Sequence, residues 1–321
     1  MRLKHTVRRI LPTVVAAALL IPPSFADIDE TVPDPAPHRV QTLSAAHFDL
    51  PKYLPVLEWL FGANRKNESK TRPYFRRNLF RRVAGDQVFL LTSWWPEEFG
   101  KVRFALPITL AAVAAARTGS DPGAWDRRTA RFVHAWATGG FHDAGEFLSK
   151  IGESRNALLL LGSTYLISRA TGSERVERAT SLSAEALLNS ALYVGVLKKV
   201  LRRTRPFNGG TGEFFVSDPL PGQSNGSYPS GHATGVFAVA AVFTCEFRDS
   251  RWVPWVAYGT AALVALSRVS LGRHFPTDIL TGAILGDSVG RMVSHRSASH
   301  AEGLDPMWTD PGELQASRQP D

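Results

Sequence analysis

The sequence predicts an all-α fold, a helical bundle whose functional residues collect at helix ends and in the loops between them. Three observations carry that prediction. Six apolar runs have helical length and are separated by glycine, proline or charge. Several of them are rich in alanine and leucine, the strongest helix formers. Few segments alternate in the way that strands do.

Taken in order, the N-terminus carries Arg2, Lys4, Arg8 and Arg9, then an apolar run from Thr13 to Ile21, then Ser24-Phe25-Ala26. This is the pattern of an export signal over 1–26, cleaved after Ala26, with a retained anchor as the alternative. Residues 27–74 form an extended polar and basic lead-in that includes Pro33, Pro35 and Pro37. The stretch Arg65–Arg82 interleaves arginines and lysines with Tyr74, Phe75 and Phe80. It reads either as a solvated basic face or as a peripheral contact with anionic lipid. The helical domain is expected over 75–295, followed by a polar, disordered tail over 296–321.

Within that domain the runs are Phe104–Ala116, Ala157–Ser168, Ala186–Leu197, Ala233–Cys245, Trp252–Ser267 and Pro276–Val293. The longest uncharged run is about 16 residues, against the roughly 20 that a bilayer crossing needs. A mean hydropathy of −0.10 is also low for a chain that crosses a membrane many times. The expectation is therefore a water-soluble bundle, exported to the periplasm or secreted, with membrane association as the alternative. Trp94 and Trp95 read either as core or as the lining of an apolar groove.

A formal charge of +8 would attract nucleic acid, anionic lipid or a phosphorylated substrate. The single cysteine, Cys245, rules out a disulfide within the chain and reads as a small buried hydrophobe. There is no internal repeat, glycine-rich dinucleotide fingerprint or zinc-type cysteine pattern, which removes three common enzyme classes.

Three clusters in the C-terminal half carry chemistry. The first is Lys198 with Arg205-Pro206. If the helix continues to Pro206, these cations share a face about 10 Å apart and can grip one phosphate; Lys199 is an alternative to Lys198. The second is Pro229-Ser230-Gly231-His232, a turn feeding a helix N-terminus, where free amides and a hydroxyl receive an anion. The third is Ser267-Arg268, then His274, then Asp278. Pro276 predicts a helix start that places His274 at its positive end and Asp278 in its first turn. There the carboxylate can accept a hydrogen bond from one ring nitrogen and leave the other as a nucleophile.

In this order and spacing the clusters resemble the type 2 phosphatidic acid phosphatase superfamily. That superfamily includes class A acid phosphatases, lipid phosphate phosphatases and vanadium haloperoxidases. Its signature is Lys, six residues, Arg-Pro; Pro-Ser-Gly-His; and Ser-Arg, five residues, His, three residues, Asp. Every fixed position is present here, and the resemblance extends over Leu187 to Val293.

It implies a metal-independent phosphoric ester hydrolase acting on phosphate monoesters or on lipid phosphates and diphosphates. In that reaction His274 attacks phosphorus to form a phosphohistidine, Asp278 orients it, and His232 protonates the leaving group. Lys198, Arg205, Arg268, Ser230 and Gly231 bind the phosphate. No cofactor is implied, vanadate being an inhibitor. The expected partner is a phosphorylated small molecule or lipid, and no nucleic acid is expected. Two alternatives remain at this stage. One is a vanadium-dependent haloperoxidase, with vanadate as cofactor on His274. The other is a non-catalytic basic protein that binds a membrane surface or nucleic acid.

Overall fold

The structure, a computed structural model, describes residues 79–217 and 225–301. Among these, every regular element is helical: α1 Leu79–Thr92, α2 Trp94–Phe99, α3 Val102–Ser120, α4 Trp125–Trp136 and α5 Gly140–Gly152 come first. They are followed by α6 Ser154–Thr171, α7 Glu174–Leu201, a 3-10 turn Phe207–Gly209, α8 Gly231–Glu246, α9 Val253–Ser270 and α10 Pro276–Ala301. The six apolar runs lie in α3, α6, α7, α8, α9 and α10. The export signal, the lead-in over 27–74 and the segment beyond 301 lie outside the described residues, as does most of the basic stretch 65–82. Of that stretch, Arg82 turns inward, with its Nε 3.5 Å from Glu185 Oε2. The last helix passes the limit expected at 295. Arg296 holds it there by pairing with Asp86 at 3.0 Å and by lying 4.5 Å from the Phe89 ring centre.

α8 is the axis of the bundle. It is apolar all round, as a helix must be when others enclose it, and α7, α9 and α10 surround it. α8 and α10 run in the same direction and pack backbone to backbone. A Cβ added to Gly286 would stand 2.2 Å from the Thr234 carbonyl oxygen, and one on Gly290 would stand 2.3 Å from that of Ala238. The regular spacing of these glycines on one face of α10 permits the approach. It also sets the two helix N-termini side by side. Around this pair Leu90, Trp94, Phe104, Leu182, Tyr193, Val242, Leu285 and Val289 form the main apolar core. Trp94 is fully enclosed in the core, and the half-buried Trp95 packs edge to face against it at 4.8 Å. Cys245 is half-buried.

The outer surface differs from that of the water-facing bundle expected from the sequence. α3 exposes Leu106, Leu110 and Val113; α6 exposes Leu159, Leu160 and Leu166; α9 exposes Trp255, Val256, Leu263 and Leu266. By length and composition α3 is able to cross a membrane. Arg103 and Arg117 sit at its two ends, so the uncharged run between them understates the length of the helix.

Candidate active site

The site lies at the end of the bundle where α7 and α9 finish and α8 and α10 begin. α7 stops at Leu201, because Arg202 turns left-handed at φ 41°. The expected continuation of the helix to Pro206 therefore does not occur, and Lys198 and Arg205 do not share a helix face. Lys198 rises from the last turn, and its Nζ would lie 3.8 Å from a Cβ on Gly231. Arg205 arrives through a loop instead. That loop is fixed by hydrogen bonds from Thr204 N to Glu213 O and from Ser227 N to Arg203 O, each 2.9 Å. It also needs a glycine at 210, where any Cβ would fall 1.7 Å from Arg205 O.

The second cluster forms the expected turn and helix start. Ser230 is the N-cap of α8: its Oγ accepts from Ala233 N, and its own amide donates to the Asp278 carbonyl at 3.0 Å. This last bond locks the start of α8 to the start of α10. His232 sits in the first turn, its ring beside α5, where a Cβ on Gly152 would approach its Cδ2 to 3.2 Å. Burial is the first cause that holds its pKa well below the ordinary 6.5, followed by the charges of Arg268, His274, Lys198 and Arg205. These residues of all three clusters thus meet around one histidine.

The third cluster also takes the expected positions. His274 precedes α10, and Asp278 lies in its first turn. His274 Nδ1 is 3.5 Å from Asp278 Oδ2, and the Ser227 hydroxyl donates to that same oxygen at 2.5 Å. Phe275 N donates to it at 2.8 Å. Burial, reinforced by Arg205 and Lys198, pushes His274 down to about 3, against the opposing pull of Asp278. Burial alone would raise Asp278; the Arg203 charge and the hydrogen bonds from His274 and Ser227 outweigh it and hold the carboxyl below the usual range. Nδ1 faces the Asp278 carboxylate, so Nε2 is the ring nitrogen turned away from it. Arg268 binds Ser149 of α5 through its guanidinium, and its carbonyl accepts the His274 amide at 3.2 Å.

Sequence reasoning missed the shell behind Asp278. Arg203 is fully buried; it donates to Asp278 Oδ1, to Thr277 Oγ1 at 2.9 Å and to Asp126 Oδ2 at 2.8 Å. Phe275 stacks on it, 4.5 Å from ring centre to guanidinium. In the sequence Arg203 is one of several basic residues before a proline, and Asp126 is an ordinary acid far upstream. Neither carries a local signal. Among the described residues, no group of three His, Cys, Asp or Glu side chains is placed to hold a metal ion.

The profile of the PAP2 superfamily matches residues 180–299, which contain all three clusters. A lipid A 1-phosphatase of Rhizobium johnstonii is 29% identical over 157 residues, covering 44% of this chain and 62% of that protein. A lipid A 1-phosphatase of Porphyromonas gingivalis is 38% identical over 72 residues, covering 22% of this chain and 16% of that protein. In both cases the chain spans less than two thirds of the relative's own length. The crystal structure of a transmembrane PAP2-type phosphatidylglycerolphosphate phosphatase from Bacillus subtilis superposes with a TM-score of 0.45 at 20% identity, over 64% of this chain and 99% of that one. The three clusters that meet in this site thus all lie within residues 180–299, the segment of this chain that is similar to the PAP2 superfamily.

Proposed function

We propose that the chain is a metal-independent phosphatase that hydrolyses a lipid phosphate or diphosphate through a phosphohistidine on His274. The observation that carries this reading is the meeting of the buried His274 and the half-buried His232, from neighbouring helix starts, within one set of cations. His274 is oriented from behind by Asp278.

In the first step the Nε2 lone pair of His274 attacks phosphorus. The bond to the leaving oxygen breaks, and His232 gives that oxygen a proton. In the second step water attacks phosphorus and passes a proton to His232; the P–N bond breaks and phosphate leaves. His232 must enter the first step protonated. The bound phosphate supplies the reason: its negative charge offsets Lys198, Arg205 and Arg268, which otherwise depress the ring. Those three cations, the amides at the start of α8 and the two helix dipoles stabilise the charge on the transferring group, work that a divalent ion does elsewhere.

A lipid substrate is supported by the names of the relatives above and by the exposed apolar faces of α3, α6 and α9, which fit membrane association. Neither the haloperoxidase nor the non-catalytic reading gains support from those relatives, which are named as phosphatases.

The test is phosphate release from phosphatidic acid and from p-nitrophenyl phosphate in EDTA, comparing wild type with His274→Ala. Release that persists in EDTA and is lost in the variant, with acid-labile label trapped on wild type from ³²P substrate, is the expected result. Release that needs an added metal ion, or that survives His274→Ala, overturns the proposal.

A further inference from the structure

The helices α4 and α5 cover the catalytic end of the bundle, and their inner faces are tied into the site. Asp126 on α4 holds Thr277, three positions after His274, and Ser149 on α5 holds Arg268. Their outer faces are not those of a cap that meets water. α4 exposes Trp125, Phe132 and Trp136 at 58%, 71% and 62%, and α5 exposes Phe141 at 63%. The α4 rings recur at helical spacing on one side, and Trp136 meets Phe141 across the turn between the helices at 4.8 Å.

Arginines stand among these rings. Arg128 and Arg131 of α4 are exposed beside them, whereas the exposed acids of this pair, Asp143 and Glu146, lie on α5. Aromatic rings mixed with arginine on a short amphipathic helix make the composition that partitions into a lipid headgroup layer. The cap follows α3, whose exposed Leu106, Leu110 and Val113 are also apolar, after only the turn at 121–124.

We infer that α4 and α5 form an interfacial anchor that lies in the headgroup layer of an anionic phospholipid bilayer. Their rings rest among the upper acyl chains, and Arg128 and Arg131 contact lipid phosphates. Because the same helices hold Thr277 and Arg268 from behind, the anchor sets the catalytic mouth at the depth where a lipid phosphate sits. This rests on the phosphatase reading above and narrows its substrate to one presented at a bilayer surface.

The test uses the full chain reconstituted in vesicles of phosphatidylcholine and phosphatidylglycerol that contain phosphatidic acid. In the variant Phe132→Gln/Trp136→Gln/Phe141→Gln, turnover of phosphatidic acid is expected to fall about tenfold or more as apolar contact with lipid is lost. Turnover of p-nitrophenyl phosphate stays within about twofold, because none of the three side chains touches the site. Equal loss on both substrates, or an unchanged rate on phosphatidic acid, overturns the anchor. A second measurement does not depend on turnover: lipids brominated high on the acyl chain should quench wild-type tryptophan emission more than that of Trp136→Phe. Equal quenching overturns the anchor. A wild type that hydrolyses neither ester yet shows the quenching difference strikes down the phosphatase reading and leaves the anchor standing.

Discussion

Asp126 and Thr277, 151 positions apart in the chain, are joined by two hydrogen bonds: one carboxylate oxygen accepts the Thr277 amide at 2.9 Å and the other its hydroxyl at 2.6 Å. Asp126 also takes Thr118 Oγ1 at 3.0 Å and Arg203 at 2.8 Å, and it lies upstream of the residues matched by the family profile. The upstream helices therefore complete the site by bracing the start of α10. Replacing Asp126 with Ala leaves the buried Arg203 with only part of its countercharge and the Thr277 amide without an acceptor. Losing one partner of a buried ion pair costs about 3–5 kcal/mol. The urea midpoint of Asp126→Ala should fall accordingly, and Asp126→Asn, which keeps an acceptor, should fall less.

The close packing of α8 on α10 makes a second prediction. Gly286→Ala would drive a methyl group into the Thr234 carbonyl, a backbone atom that cannot turn aside. Overpacking of this kind costs about 1–3 kcal/mol. It should also part the two helix starts, so that turnover falls along with the melting temperature. Gly162→Ala on α6 is the control, since a Cβ there meets nothing within 4 Å. At an unstrained position of that kind alanine stabilises by about 0.4–1 kcal/mol. Equal melting shifts in the two variants would refute the packing argument.

These two cases mark what the sequence made legible and what it did not. The six long apolar runs, the Ser230 cap and the placement of His274 before a helix that holds Asp278 all follow from local periodicity and capping. They were readable because the residues that decide them are neighbours in the chain. The end of α7 was not readable: Arg202 breaks the helix by taking a left-handed turn that arginine rarely adopts, and tertiary bonds to the 213–216 segment hold it there. The Arg203–Asp126 pair was hidden because its members are distant. α4 and α5 were missed because most of their large apolar residues, Trp125, Phe132, Trp136, Phe141 and Phe147, face outward, leaving no long buried stripe to detect. The α10 glycines went unremarked, because their purpose depends on the backbone of α8.

Stability should fall as the medium is acidified from neutrality. His274 has an unfolded pKa near 6.5 and a folded value of about 3. Between those values the unfolded chain binds a proton that the folded chain refuses, so acid favours unfolding across the window. His232 is depressed in the same direction. Each such histidine contributes a slope of up to about 1.4 kcal/mol per pH unit. Asp278, held below the usual carboxylate range, adds its own loss only at lower pH, beneath the unfolded value of about 3.9. Chemical unfolding measured from pH 7 to pH 4 should show the slope, and His274→Asn should reduce it. A slope unchanged by that substitution would show that His274 does not stay neutral in the folded protein.

The orientation of His274 gives the sharpest test of the site. Asp278 faces donors on both sides: Arg203 on Oδ1, and Ser227 and Phe275 N on Oδ2, with His274 Nδ1 beside that second oxygen. In Asp278→Asn the single remaining oxygen must satisfy Arg203, because a buried guanidinium pressed against an amide NH2 is the costlier arrangement. The NH2 then faces Nδ1, which becomes an acceptor, and the ring proton moves to Nε2. That is the nitrogen that must carry the lone pair. The analogous carboxylate-to-amide change in a serine-protease triad costs roughly 10⁴ in kcat through the wrong tautomer. Asp278→Asn should therefore lower kcat on p-nitrophenyl phosphate by about three to four orders of magnitude with little change in KM, since the cations proposed to bind the phosphate are untouched. Nitrogen NMR of the labelled ring should show the proton on Nδ1 in wild type and on Nε2 in the variant. A variant that keeps the proton on Nδ1 and still loses kcat would assign Asp278 an electrostatic role rather than an orienting one.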